Sequence, residues 1–201
     1  MIKGEGRLSM NIQRIGGLVA LCGLLAGCGG GNGGPTFASL DSRAEALATS
    51  AEALYNLEGF SDPAALPVDG AARYDGVIAG VILDEDLIIA GELSLIADFN
   101  GPGSISGSAR NFVDDTENRY QGTLLVTNGD IFRDADPEVD FTYSADLDGT
   151  LSDTDDSYLV DGTLFGDFIG DNQEYTGGIT EGTVTSSIGT SDFGGVFVAE
   201  K

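Results

Sequence analysis

The chain has 201 residues, the size of one domain with accessories. Nine Lys and Arg stand against 33 Asp and Glu, with no histidine, for a formal charge of −24. A surface that acidic repels phosphate backbones, which excludes nucleic acid as a partner. Without histidine the usual base of a nucleophilic triad is missing, so no enzyme is expected.

From the N-terminus, Met10 to Cys28 reads MNIQRIGGLVALCGLLAGC. Arg14 precedes an apolar run from Ile15 to Ala26 that is too short for a bilayer span, which needs about 20 residues. Met10 can serve as the start, since Met1 to Ser9 adds nothing that a signal peptide needs. The run ends in Leu25-Ala26-Gly27-Cys28, which resembles the bacterial lipoprotein box. That resemblance implies a signal peptide over residues 1–27 and a lipid on Cys28. Gly29 after it, in place of Asp, implies outer-membrane rather than inner-membrane retention, at the periplasmic or cell-surface face. Cys22 lies in the removed segment, so the mature chain has one cysteine and no disulfide. Removing the leader leaves 6 basic and 32 acidic residues, a charge of −26.

Residues 28–38 are the lipidated cysteine and a flexible tether, whose GGGNGGP run can neither pack nor start a helix. An amphipathic helical unit follows at 39–60. Leu40, Ala44, Leu47, Ala51, Leu54 and Tyr55 recur at spacings of three and four, on one face of a helix from Leu40 to Glu58. Ser39 or Asp41 is the expected cap, and Gly59 with Pro63 the stop. Such a helix is expected to cover an open end or the outside of its own sheet.

From residue 66 to 201 the composition turns to glycine and β-branched residues. Eight strands are expected near 72–83, 86–99, 103–112, 118–129, 138–149, 157–170, 176–188 and 192–200. Tyr158, Val160, Leu164 and Phe168 share one parity, and Asp161, Thr163 and Asp167 the other. Val139, Phe141, Tyr143, Ala145 and Leu147 alternate in the same way with Asp140, Thr142, Ser144, Asp146 and Asp148. Gly162 and Gly166 lie on the apolar parity, where glycine suits a tightly coiled sheet crossed by large side chains. Short connections favour an up-and-down meander, and eight strands can close and so abolish free edges. The fold class expected is all-β: an eight-stranded antiparallel up-and-down barrel preceded by one amphipathic helix. A transmembrane barrel of this size is disfavoured, because a face of Asp140, Thr142, Ser144, Asp146 and Asp148 does not suit lipid.

Gly70, Ala72, Tyr74 and Gly76, then Gly166, Phe168, Gly170, Gly177 and Gly178, resemble the opening strand and closing hairpin of transferrin-binding-protein-B-like surface lipoproteins. The resemblance runs from Leu66 to the end. It implies a single β-barrel without the handle domains of the large receptors. It also implies a solute- or protein-binding role with an iron connection.

One metal reading comes from the residues themselves. Asp134, Asp136, Glu138 and Asp140 form an oxygen-rich cluster, and Asp146 and Asp148, with Asp153, Asp155 and Asp156, another. Calcium takes six to eight such oxygens, yet acidic turns that keep a chain in solution account for the pattern more simply, and no other cofactor is expected. Haem could be held only through tyrosine, and Tyr74, Tyr120, Tyr143, Tyr158 and Tyr175 read first as core or rim aromatics. Two roles stand: a binding module for a host or environmental protein or a small nutrient, held to the membrane by its lipid, and an acidic shielding lipoprotein without a specific ligand.

Overall fold

The computed structural model describes residues 34–201; the expected signal peptide and the expected lipid site at Cys28 lie outside them. Helix α1 (Phe37–Glu58) is followed by a 3₁₀ turn (Pro63–Ala65) and eight strands, with a second 3₁₀ turn (Leu83–Glu85) between the first two. These are β1 (Ala71–Ile82), β2 (Leu87–Asp98), β3 (Ser104–Asp114), β4 (Arg119–Ile131), β5 (Tyr143–Ser152), β6 (Ser157–Ile169), β7 (Tyr175–Ser186) and β8 (Gly189–Glu200). Each strand pairs antiparallel with the next, and β1 pairs with β8 from Asp75↔Glu200 to Ile82↔Phe193, so the sheet is a closed barrel.

The expected parity sets the inside. Tyr158, Val160, Leu164 and Phe168 of β6 are buried in one core with Tyr143, Ala145 and Leu147 of β5 and Tyr74 and Ile78 of β1. A lumen this narrow is filled by side chains alone when large rings lie against residues without a Cβ. Gly166 shows the requirement: a Cβ there would stand 2.5 Å from Cζ and Oη of Tyr143. Phe193 lies against Gly80 and Phe112 against Gly91 in the same way. Inner glycine is therefore the complement of inner aromatic.

The α1 stripe is as spaced in the sequence. Leu40, with Phe37 and Ala44, packs on Val77, Ala90 and Val113; Leu47 and Ala51, with Leu54 and Tyr55, pack on Ile169 and Val198. All these partners lie on the outer wall, so the helix covers a flank rather than an end. Its cap is Thr36, whose hydroxyl accepts from the Ser39 amide while the Ser39 hydroxyl accepts from the Thr36 amide. This reciprocal box corrects the expectation of Ser39 or Asp41 as cap, since Thr36 is the last residue with extended backbone. Gly59 ends the helix with φ 80°, a conformation that a Cβ resists.

The main departure from the expected strands is at β5. It starts at Tyr143 rather than 138, and the run 132–142 is a loop. Pro137 has no amide to give a ladder, and the Asp136 carbonyl instead accepts from the amides of Val139 and Asp140. Val139 is thus exposed at 46% and Phe141 lies outside the barrel against Phe165, whereas their parity placed them inside with Tyr143.

Candidate functional site

The barrel has two unlike rims. At the plugged rim, the segment from Gly59 to Gly70 crosses the end, and Leu66 drops into the core. Arg133 clasps it, donating from Nη1 to the Leu66 carbonyl (3.0 Å) and from Nη2 to the carbonyls of Pro67 (2.6 Å) and Phe99 (3.1 Å). Beneath lies an aromatic cluster in which Phe168 sits 5.2–5.9 Å from the rings of Tyr143, Phe99 and Tyr74. Its phenols are engaged: Tyr74 donates to the Gln173 carbonyl, and Tyr143 is bonded to Thr176, which donates to the Asp167 carbonyl. Burial holds both phenols far above the ordinary tyrosine range.

The acidic rim is made by the turns Leu83–Glu85, 115–118, 153–156 and 187–188. Asp114 is its hub, accepting from the amides of Thr116 and Asn118, their side chains and the Tyr120 hydroxyl. Burial alone would raise its carboxyl, but these donors outweigh burial and hold it below the usual carboxylate range. Asp156 accepts from the Ser187 amide and hydroxyl, tying two turns together. Tyr120 and Tyr158 meet edge to face at 5.6 Å below this rim. Burial, then the charges of Asp153, Glu85, Asp156 and Asp114, push the Tyr158 phenol up to about 12.

The calcium candidates do not come together. Asp134, Asp136, Glu138 and Asp140 lie in the loop 132–142 at the plugged rim, where Asp136 Oδ1 accepts from the Glu138 amide. Asp146 and Asp148 are on the outer wall of β5, with Asp146 accepting from Asn128. Asp153, Asp155 and Asp156 are at the opposite rim. Among the described residues no three such side chains converge in a way that could hold a metal.

What sequence reasoning missed is on the outer wall beside α1. Because the loop 132–142 folds outward, Phe141 stacks on Phe165 at 5.6 Å between centroids. Thr142 then gives both its amide (2.8 Å) and its hydroxyl (2.9 Å) to Asp167 Oδ1, so a carboxylate on the outward parity is buried. Phe165, Ile179, Val196 and Ala79 are register partners across β6, β7, β8 and β1, forming an apolar row around the barrel. The row runs into a slot of about 40 Å³ between helix and wall, lined among others by Ala48, Ala51, Phe60, Phe141, Gly177 and Val198. Ligand pockets for small molecules occupy about 300–1,000 Å³, so this slot suits one side chain and not a cofactor. The signals for it were Pro137 and Asp136, which mark a turn inside an apparent strand.

Around the rest of the barrel, Asp75, Arg110, Asp148, Asp161, Glu181 and Asp192 are exposed on the outer wall, which breaks any apolar belt of the kind lipid-facing strands present. Among the described residues no helix is long and apolar enough to cross a membrane. Comparison of the chain with protein-family models, with curated proteins and with solved structures finds no match.

Proposed function

We propose that this chain is a surface lipoprotein, anchored in the outer membrane through Cys28, whose barrel binds a protein partner through its outer wall beside α1. The likeness of its glycine motifs to transferrin-binding-protein-B-like barrels belongs to this proposal and gives it the same class: capture of a host or environmental protein, with iron as the nutrient at stake. The observation that carries it is the contrast between lumen and wall. Tyr74, Tyr143, Leu164, Phe168 and Phe197 are all buried to 1% exposure or less inside, which leaves a small nutrient no room in the lumen. The wall keeps Phe141, Phe165, Ile179 and Val196 half-buried in a contiguous row with a slot beside it. A small apolar patch within a charged surface is the usual mark of a protein contact.

The test is capture from growth medium or serum by the acylated full chain, beside Ile179→Asp and a distant control, Asp161→Asn. Retention of one protein by wild type and control, reduced at least tenfold by Ile179→Asp, is the expected result. Equal retention by all three would end the outer-wall reading. Retention of nothing would favour the second role, shielding by an acidic coat, for which the charge of −26 is the supporting fact.

A further inference from the structure

The tether enters the fold at one rim, and that fixes which end of the barrel the anchor can bring to a bilayer. Gly34 is held at the acidic rim: its carbonyl accepts from Arg119 Nη2 at 2.9 Å, at the start of β4. Three residues on, the Phe37 amide donates to Glu117 Oε2 at 3.2 Å, in the turn before that strand. From Cys28 to Gly34 the chain spans at most about 20 Å when fully extended. From there α1 climbs the flank for 22 residues, about 33 Å, before reaching the plugged rim. The anchor is therefore too short to lay an upright barrel's plugged rim on the membrane. Resting on the reading of Cys28 as the acylated residue, we propose that the lipoprotein stands with its acidic rim against the phospholipid surface and its plugged rim facing away.

Exposed apolar side chains alone would choose the opposite end. Leu57 (82%), Val68 (76%), Phe132 and Val139 are exposed near the plugged rim. The acidic rim has Leu83 (59%) and Ile188 (72%), on the turns that flank β8. Tether length overrides that count, and the result has a meaning for the wall described above. The larger apolar surface, with Phe60 and Phe141 beside it, is held out of reach of lipid and left for a partner. Leu83 and Ile188 are the side chains that meet the headgroups. Around them stand acidic side chains of the neighbouring turns, among them Asp84, Asp86, Asp115, Glu117 and Asp155. Against anionic lipid these repel across about 8 Å at physiological salt, so the contact is closest on neutral lipid.

The chain has no tryptophan, so one introduced indole reports depth by itself. Full-length protein purified with its native lipid is placed in phosphatidylcholine vesicles containing brominated acyl chains, as Ile188→Trp, Leu83→Trp or Val68→Trp. Mass analysis of the N-terminal peptide is read first; lack of an acyl group on Cys28 overturns the anchor and the orientation with it. With the acyl group present, bromolipid should quench Ile188→Trp and Leu83→Trp at least twofold and leave Val68→Trp unchanged. In vesicles of phosphatidylglycerol at low salt the quenching should weaken, and return as salt is added. Quenching of Val68→Trp equal to or above that of Ile188→Trp, or quenching of none of the three, overturns the orientation while the anchor stands. Cys28→Ser should float free of the vesicles and lose all quenching; if it stays membrane-bound, the anchor reading fails.

Discussion

The two rims of this barrel solve the same problem, closing the end of a tube, with opposite chemistry. The plugged rim is closed by chain: a crossing segment, a guanidinium on three backbone carbonyls and a cluster of rings below it. The acidic rim is closed by carboxylates that gather the amides and hydroxyls of their own turns, with Asp114 at the centre. One rim depends on packing and on the Arg133 guanidinium. The other depends on carboxylates held ionised by their donors. An end built from turns can be acidic because carboxylates such as Asp114, Asp153 and Asp156 answer backbone donors that would otherwise be orphaned.

The sharpest way to break the plugged rim is at its ring cluster. Phe168→Ala removes the side chain that touches three other rings and leaves a cavity, and should cost about 3–5 kcal/mol in urea unfolding. A loss under about 1 kcal/mol would mean that the cluster does not hold that end.

The two polar hubs separate with pH. Arg133→Met strips three carbonyls of a charged donor and should cost about 2–3 kcal/mol, equally at pH 7 and pH 3. Asp114→Asn should cost about 2 kcal/mol at pH 7, because the carboxylate is held ionised by its donors. Its folded value lies below the unfolded one, so that contribution is complete above the unfolded value near pH ~4. It is lost as pH falls through the folded value, and the two chains should converge in stability in acid. Urea midpoints at the two pH values measure both effects; a deficit for Asp114→Asn that persists unchanged in acid would remove the carboxylate from its place as hub.

The smallest effect is spectroscopic. Tyr158 should ionise near pH 12 rather than near 10, seen as the change in phenolate absorbance that Tyr158→Phe removes. Since the folded phenol is the harder to ionise, its contribution to stability is full below the unfolded value and lost as pH rises past it. Titration of Tyr158 with ordinary tyrosines would mean that the rim below Asp114 is open to water.

Much of this architecture was legible in the chain. The parity of Tyr158, Val160, Leu164 and Phe168 named the inner face, and seven of the eight strands start within three residues of where alternation and glycine placed them. The six-residue stripe from Leu40 to Tyr55 named the buried side of α1. Alternation failed at Val139 and Phe141 because period two says which side chains share a face only where a ladder exists. Pro137 has no amide for a ladder, and the Asp136 carbonyl takes the amides of Val139 and Asp140 into a turn.

The sequence by itself determined a closed antiparallel barrel with a flanking helix, since those follow from local periodicities and from the need to bury one face of each element. Only the tertiary structure decided that the lumen is full, that Asp167 is buried on the outside, and that Gly34, ahead of α1, meets the acidic rim. Each of those depends on which distant segments meet: Tyr143 over Gly166, Thr142 against Asp167, Arg119 against Gly34. No periodicity encodes such meetings, because they arise from how eight registers and their loops add up once the ring is closed.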